Sequence, residues 1–532
     1  MTIKVNNIIL DIEDDKTVLL KKVAKKLGVA VSGLPEVRIV KESIDARKKD
    51  TVKFNYCIEV DLDNEKLLMN RISDKDVKIE NDTYNEEFEI GTKKLNTRPV
   101  VIGMGPAGLF AALLLARNGY NPVVFERGED MESRSKTVDL FWNTGILKEN
   151  SNVQFGEGGA GTFSDGKLTT RIKDNRCSYV LKALVKGGAP EEILYRAKPH
   201  VGTDILKEVV KNIREEIKSL GGEVYFNSAL NNIITDEGKL KGIEINDNFI
   251  PCERLILAIG HSARDTYEML NGKGVQMEQK PFAIGVRVEH PQELIDRNQY
   301  GKFAGHPKLN AAEYRLTHTC KESGRGVYSF CMCPGGLVVA TASEHGRLVT
   351  NGMSYHARDK KNANSAIVVT VTPEDFGSKS PLAGIEFQRK YEELAYKAGG
   401  GNFVAPVQLI GDFLKDSKSL KIGNVEPSYR PGYELSDIRK CLPDFVTGSL
   451  KEGILAFDKK ISGFADYNAV MTGIETRTSA PVRIPRREDL QSVSMEGLYP
   501  AGEGAGFAGG IISAAVDGIK VAENIIKEFA PF

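Results

Sequence analysis

No apolar run in this sequence is long enough to cross a bilayer. The strongest, Leu109 to Ala116, falls well short of the roughly 20 residues that a spanning helix needs. The N-terminal segment also lacks the apolar core of a secretory signal peptide. There is no excess charge, because Lys+Arg and Asp+Glu both number 72. We therefore expect a soluble protein with no membrane span and no nucleic-acid partner.

Cysteine is also scarce. The seven cysteines are odd in number and mostly scattered, at positions 57, 177, 252, 320, 331, 333 and 441. This pattern predicts free thiols in a reducing compartment, for which the cytoplasm is the expectation, and it argues against a disulfide framework. The sequence also lacks zinc-type ligand spacing, a Gly-x-Ser-x-Gly elbow and a Walker loop. We predict no metal site.

Glycine, by contrast, is abundant and clustered, and the clearest cluster follows an apolar strand over Pro99–Ile102. Gly103-Met-Gly105-Pro-Ala-Gly108 then opens a helix, and a second strand ends at Glu126. The first glycine allows the tight turn, the second lets backbone approach a pyrophosphate, and the third lets the helix pack on the strand. The helix N-terminus attracts phosphates, and the Glu126 carboxylate can bind ribose hydroxyls. This segment predicts a βαβ dinucleotide site.

Two further glycine loops add to this site. Ala501 to Gly510 follows the strand Leu498–Pro500 and opens a helix at Ile511, but only 22 residues follow Gly510. A second βαβ domain cannot fit there, so the loop must complete a site made by the earlier chain. FAD needs such two-ended recognition. The loop from Gly156 to Lys167 offers hydroxyls, N–H groups and a lysine to FAD or substrate; the alternative is a cluster of structural turns.

At this point the sequence resembles the FAD-dependent, NAD(FAD)-utilising dehydrogenases of the glutathione-reductase-like flavoprotein superfamily. The resemblance covers essentially the whole chain, and it is carried by RPVVIGMGPAGLFAALLLARNGY, NVQFGEGGAGTFSDGKL, LAIGHSARDT, KPFAIGVRVEH, YSFCMCPGG, TNGMSYHARD, ETRTSAPVR and GLYPAGEGAGFAGGIISAAVDG. It implies that Ala258 and Gly260 lie against FAD, with Ile259 replacing a usual threonine. It also implies that Gly502 and Glu503 contact the ribityl–phosphate part, with glutamate replacing aspartate.

The loops and the resemblance together predict a set of cofactor ligands. The predicted FAD-binding residues are Gly103, Gly105, Pro106, Ala107, Gly108, Glu126, Arg127, Arg134, Gly158, Gly159, Thr162, Ser164, Lys167, Ala258, Gly260, Gly502, Glu503, Gly509, Gly510 and Ile511. FAD is the expected cofactor. NAD(P)H is a candidate electron donor that would bind without a nucleotide domain of its own, because FAD claims the single complete fingerprint.

Catalytic and substrate residues are harder to assign. His261 comes shortly after the apolar strand Leu255–Ile259, whose end the resemblance places against FAD. It is the candidate acid or base, with a structural histidine as the alternative. Arg477 and Arg483 are candidates to bind an anionic substrate or the FAD phosphates; the alternative is a surface ion pair. Tyr328, in a stretch loosely similar to the aromatic motif of geranylgeranyl reductases, is a candidate substrate contact, with core packing as the alternative.

Cys331 and Cys333 raise the question of a redox dithiol. On a regular strand, residues two apart point to the same face with nearly parallel Cβ vectors, about 6.5 Å between Cα atoms. A disulfide would then be strained. The spacing favours small core residues.

The periodicities predict an α/β protein with four segments. Residues 1–96 form a small N-terminal α+β domain and linker, with 63–97 as a polar connection. Residues 97–280 and 486–532 form a split Rossmann-like FAD-binding domain. Residues 281–485 form an inserted β-rich α+β domain that would cover the flavin and shape the substrate pocket.

The predicted function is that of an FAD-dependent oxidoreductase, a dehydrogenase or reductase that transfers hydride through flavin N5 to or from a small-molecule substrate. Two alternatives stay open. One is a reductase of an isoprenoid or other apolar lipid. The other is a non-enzymatic flavoprotein that senses redox state or binds a partner through residues 1–95.

Overall fold

The computed structural model describes residues 2–34, 36–61, 72, 74–80 and 88–532. Its strands are β1 (Thr2–Asp11), β2 (Val37–Asp45), β3 (Lys53–Val60), β4 (Val77–Glu80), β5 (Val100–Ile102), β6 (Val123–Phe125), β7 (Glu223–Tyr225), β8 (Leu230–Asp236), β9 (Lys239–Ile245), β10 (Asn248–Pro251), β11 (Leu255–Leu257), β12 (Glu278–Gln279), β13 (Phe282–Pro291), β14 (Thr317–Thr319), β15 (Gly326–Cys333), β16 (Leu337–Ala340), β17 (Thr350–Met353), β18 (Asn362–Val371), β19 (Ala405–Leu409), β20 (Tyr433–Leu435), β21 (Val470–Glu475), β22 (Val482–Arg483) and β23 (Leu498–Pro500). The α-helices are α1 (Lys16–Leu27), α2 (Pro106–Arg117), α3 (Met131–Thr144), α4 (Arg176–Lys186), α5 (Thr203–Ser219), α6 (Arg264–Gly272), α7 (Gln292–Tyr300), α8 (Ala383–Ala398), α9 (Ile410–Leu414), α10 (Asp444–Asp458) and α11 (Ile511–Glu528).

The N-terminal unit is a four-stranded antiparallel sheet in the order β2-β3-β1-β4 with α1 packed against it. Its own apolar core includes Ile3, Val23 and Ile58. Helix α1 and the long strand β3 give this unit the mixed α and β content predicted for residues 1–96. The prediction of a plain connection over 63–97 is wrong at β4, because this segment pairs with β1. Positions 62–71, 73 and 81–87 of that region lie outside the described residues.

The second sheet has five parallel strands in the order β23-β11-β5-β6-β7. Numbered by their order in the chain, these strands run 5-4-1-2-3, so the connections leave β5 and β11 in opposite directions. Ligands of open α/β sheets bind in the crevice that such a switch point opens at the carboxyl ends of the strands. Gly103 and Ala258 follow those two ends directly. The mixed α/β class with a parallel sheet is confirmed.

A third sheet has seven strands in the order β14-β15-β18-β13-β21-β19-β20, and it is antiparallel except for the β19–β20 pair. Helices α8 and α10 pack against its strands over the largest apolar core of the chain. The predicted turn at Pro334-Gly335-Gly336 separates β15 from β16. Across the described residues, no helix combines the length and the apolar character that crossing a bilayer demands.

Candidate functional site

A cavity of about 400 Å³ opens beside the carboxyl ends of β5 and β11. Both the first glycine loop, which follows β5, and the loop that precedes α11 line it. Two segments about 400 residues apart in the sequence therefore meet at one site. The sequence-predicted residues in the lining are Gly103, Gly105, Pro106, Ala107, Glu126, Arg127, Gly159, Ser164, Lys167, Ala258, Gly260, His261, Arg477, Glu503, Gly509, Gly510 and Ile511.

The turn between β5 and α2 forms one wall of the cavity. Gly103 has a φ of 92°, and a Cβ there would lie 2.4 Å from the Ala258 carbonyl oxygen, so a larger residue does not fit. Gly105 caps the N-terminus of α2 with ordinary backbone angles, and Pro106 occupies the first helical position. A Cβ at Gly105 would meet nothing closer than the Gly159 Cα, at 3.8 Å. The space above Gly105 is therefore kept open by the two facing glycine loops.

Glu126, in the cavity lining, connects the first glycine loop to the backbone of Gly128 and Gly156. Its carboxylate is 4% exposed. Oε2 accepts a hydrogen bond from the Met104 N–H at 2.8 Å, and Oε1 accepts from the N–H groups of Gly128 and Gly156, each at 2.9 Å. These backbone partners explain why a carboxylate tolerates burial here. A carboxylate offers about four acceptor positions, so the side chain retains capacity for a hydroxyl.

Glu503 contributes a second acid to the lining. Burial raises the pKa of Glu503 to about 7, and nearby Lys280 opposes that rise. The loop around it is fixed by the Tyr267 hydroxyl, which donates to the Gly504 carbonyl at 2.6 Å. Near neutral pH this carboxyl therefore exists in both forms, and it can donate as well as accept a hydrogen bond.

His261 also lines the cavity and takes part in a chain of hydrogen bonds. Its Nδ1 is 2.9 Å from Ser262 Oγ, which donates to Gln154 Oε1 at 3.1 Å and accepts from Arg477 Nη1 at 3.0 Å. This chain fixes the orientation of the imidazole ring. Burial lowers the pKa of His261 to about 3, helped by the positive charge of Arg477. The imidazole is neutral at physiological pH.

Behind His261 lies a buried ion network that the sequence did not reveal. Arg264 forms two hydrogen bonds to Glu392, at 2.7 and 2.8 Å, and a further one to Glu344. Arg477 also pairs with Glu392, at 3.2 Å, and donates to Ser343 Oγ at 2.6 Å. Arg477 is 7% exposed. The alternative of a surface ion pair at Arg477 is therefore wrong, because its partner carboxylate is buried with it.

Several predicted residues lie outside the lining and support it, namely Gly108, Arg134, Gly158, Thr162, Gly502, Tyr328 and Arg483. A Cβ at Gly108 would lie 1.9 Å from the Gly103 carbonyl oxygen, which confirms its role in packing helix on strand. A Cβ at Gly158 would lie 2.2 Å from Thr162 Oγ1, so these two residues form a tight turn behind the wall. Gly502 packs against α2 in the same way.

The three largest side chains in that group have structural partners. Arg134 is fully buried and donates to three carbonyls of the loop 152–157, which holds the loop in shape. The Arg483 guanidinium lies over the ring of Phe507, 5.1 Å from its centroid. Tyr328 packs against a small apolar cluster of β13 and β18, as the core alternative for it predicted.

The stretch at Cys331 departs from the regular strand that the sequence predicted. Phe330 pairs with Ala366 and Cys333 with Asn364, so Cys331 and Met332 together oppose a single residue. This is a β-bulge, and Cys331 adopts a left-handed φ of 45°. The interpretation of two cysteines on one face of a regular strand is wrong for this reason. Cys333 is buried, whereas Cys331 is half-buried and lines the cavity.

Other lining residues escaped the sequence analysis although their segments had been singled out. They include Gln154, Asp165, Ser262, Phe330, Asn351 and Thr478. Away from the cavity, the structure also brings together possible metal-ligand atoms of His318, Cys320 and Glu452, within 4.8 Å of one another. Nε2 of His318 is there hydrogen-bonded to Glu452 at 2.8 Å.

The cavity lies at the switch point of the parallel sheet, and comparison with known proteins gives the family of the chain. Residues 281–478 match the family model described as FAD-dependent protein, C-terminal domain-like, and residues 2–61 match a domain of unknown function, DUF8436. The chain is 62% identical over 529 residues to an uncharacterized protein of Clostridium beijerinckii, which covers 99% of both chains. The chain belongs to the same family as that protein, and its C-terminal region is a domain of FAD-dependent proteins.

Two more distant likenesses are found. The protein FixC of Salmonella typhi is 22% identical over 204 residues, 37% of this chain and 44% of FixC. The L-proline dehydrogenase of P. horikoshii is 11% identical, covers 82% of this chain and 93% of its own, and superposes with a TM-score of 0.34. Likenesses this distant say nothing about the activity of this chain.

Proposed function

We propose that this protein is an FAD-dependent oxidoreductase that moves hydride between flavin N5 and a small polar substrate in the cavity. One observation carries the proposal. The N-termini of α2 and α11 both open into one cavity at the switch point of a parallel sheet. Two helix N-termini in one site suit a dinucleotide with a pyrophosphate at one end and an anionic reduced ring at the other.

The residues present fit FAD. The N–H groups of Ala107 and Gly108 lie in the first turn of α2, where they have no partner within the helix and suit phosphate oxygens. The open space above Gly105 admits the pyrophosphate, and Glu126 can bind the ribose hydroxyls. Gly509 and Gly510 place the start of α11 at the other end of the lining. This arrangement supports a split Rossmann-like FAD domain with residues 281–485 as the covering domain.

Bound FAD would supply hydride transfer, and the protein would position and deprotonate the substrate. The neutral His261 lines the cavity, and we assign its ring the role of accepting the proton of an O–H or N–H whose carbon loses hydride. Ser262 and Arg477 fix the ring, and Glu392 holds Arg477. The polar side chains of Asn351 and Thr478 in the lining favour a polar metabolite over an isoprenoid.

The test is anaerobic reduction of the FAD-loaded protein by a panel of amino acids, hydroxy acids and NAD(P)H, followed by the flavin absorbance. We expect one metabolite class to reduce the flavin. His261→Ala should slow that reduction by about 10²-fold while FAD content is unchanged. His318→Ala, whose imidazole lies outside the cavity, is the matched control. A flavin that no donor reduces and no acceptor reoxidises would favour the non-enzymatic alternative.

A further inference from the structure

We propose that Cys331 and Cys333 form a redox-active dithiol that exchanges two electrons with the flavin. The inference rests on the proposed function and names an electron partner for the same cavity. Both residues are free cysteines. Cys331 reaches the cavity wall, next to Phe330 and across a lining shared with His261 and Gly510.

The bulge removes the geometric objection to a bond between them. On a regular strand the two Cβ vectors would be nearly parallel, which strains a disulfide. Here the left-handed backbone of Cys331 turns its neighbour, so Met332 packs into the large apolar core while Phe330 packs with a separate cluster. The Cys333 thiol donates to the Cys331 carbonyl at 3.3 Å, so its sulfur lies against the backbone of Cys331 across the bulge.

The surroundings favour a thiolate at the cavity-facing member. Arg287 Nη1 donates to the Cys331 carbonyl at 2.8 Å, and Lys167 donates to the Met332 carbonyl. The neighbouring Cys333, together with these two cations, lowers the pKa of Cys331, although burial and Asp165 oppose the change. The pKa of Cys333 is raised by the neighbouring Cys331 and by burial. An attacking thiolate beside a protonated partner is the arrangement that reactive dithiols use.

The step balances without any further reagent. The S–H bond of Cys333 breaks, and one S–S bond forms between the Cys331 thiolate and Cys333. Bound oxidised FAD would accept the two electrons released by the sulfurs together with that one proton. In reverse, the disulfide would accept two electrons and one proton from flavin reduced by the substrate. The dithiol can thereby hold a second pair of electrons beside the flavin.

The experiment is an anaerobic dithionite titration of ferricyanide-oxidised, desalted holoenzyme. We expect wild type to take up about four electron equivalents per FAD, two for the flavin and two for the disulfide. The variant Cys331→Ser with Cys333→Ser should take up about two. Cys177→Ser, which changes a half-buried cysteine outside the cavity, should still take up about four.

The same oxidised samples are acid-quenched, denatured and alkylated. The peptide that contains Cys331 and Cys333 should resist alkylation until reductant is added, a result that does not require the variant to fold. About two equivalents in wild type, or full alkylation of both cysteines before reduction, would overturn the dithiol. Failure of the proposed function looks different: the flavin itself would be absent, or it would not be reduced by substrate in any variant, including the double serine variant.

Discussion

At the scale of single residues, a substitution at Gly105 should affect FAD binding much more than the stability of the fold. A Cβ at this position makes ordinary contact with the rest of the chain, at 3.8 Å, yet Gly105 lines the cavity where a pyrophosphate would lie. Gly105→Ala should therefore change the free energy of unfolding of the FAD-free protein by only about 0.5 kcal/mol. It should weaken FAD binding by about tenfold or more, which costs roughly 1.4 kcal/mol.

Calorimetric titration with FAD, beside urea unfolding, checks this pair of effects. Gly448→Ala is the matched control, because a Cβ at Gly448 in α10 meets nothing within 4 Å and the residue lies outside the lining. It should leave FAD affinity unchanged. Equal FAD affinity in both variants would contradict the proposal that the pyrophosphate binds next to Gly105.

Glu503 gives a pH-dependent prediction. Burial raises its pKa from 4.5 to about 7 in the folded protein, so the folded state binds the proton more tightly than the unfolded state. Stability is then lost as the pH rises from about 4.5 to 7. Glu503→Gln removes this loss, and at pH 8 the FAD-free variant should exceed wild type by up to about 3 kcal/mol, with no difference at pH 4.

Urea unfolding at several pH values measures this difference. Glu488→Gln, a change at an exposed carboxyl, serves as the control and should give a flat difference. If the difference in free energy of unfolding between Glu503→Gln and wild type were also independent of pH, the pKa of Glu503 would not be raised by burial.

At the scale of elements, the N-terminus of α11 should tune the flavin. Gly510 has a φ of 143°, a conformation that side chains rarely adopt, and it caps this helix at the cavity. A helix N-terminus stabilises added negative charge by about 1 kcal/mol, which corresponds to roughly 20 mV for a two-electron couple. Gly509→Pro with Gly510→Val should displace this terminus, weaken FAD retention and lower the midpoint potential.

Spectroelectrochemistry of the retained flavin gives the potential. Gly377→Val, at an exposed glycine with a φ of 73° outside the cavity, controls for the general cost of such a change. An unchanged affinity and potential in the double variant would show that the loop at Gly509 is only a structural cap.

The elements also show how far the sequence carries. Apolar runs and glycine spacing predicted β5, α2, β11 and the C-terminal loop and helix, because a buried parallel strand followed by a tight turn leaves a clear local pattern. The bulge at Cys331 left none, since one left-handed residue does not disturb an alternation of apolar residues. The hydrogen-bonded set His261, Ser262 and Arg477 could not be predicted from the sequence either. Packing between sheets brings these residues together, and their spacing in the sequence does not.

At the scale of the whole molecule, the N-terminal unit should be dispensable for the cofactor. Its main apolar core is separate, and none of its described residues lines the cavity. It meets the remainder through a small apolar cluster in which Ile12, Val52 and Phe54 pack with Phe303 and Leu309, and through polar contacts such as the Glu42 N–H to the Tyr195 carbonyl. Residues 88–96, by contrast, pack on the C-terminal helix, where Gly91 touches the backbone of Glu528. A chain that begins at residue 88 should bind FAD within about threefold of the full protein, a change of roughly 0.7 kcal/mol.

Circular dichroism and FAD titration of that truncated chain are the measurements. A folded truncated chain that takes up no FAD would assign part of the cofactor site to the N-terminal unit.

The most direct test of the central claim is the identity of the released cofactor. The protein is purified, denatured, and its supernatant is separated by chromatography against FAD and FMN standards; cofactor-free samples are first reconstituted with each flavin. In the proposed arrangement Glu126 and Gly105 bind the adenosine end of the cofactor and Gly510 lies at the flavin end, so we predict equimolar FAD and no FMN. Release of FMN, or no flavin after reconstitution with FAD, would contradict the account.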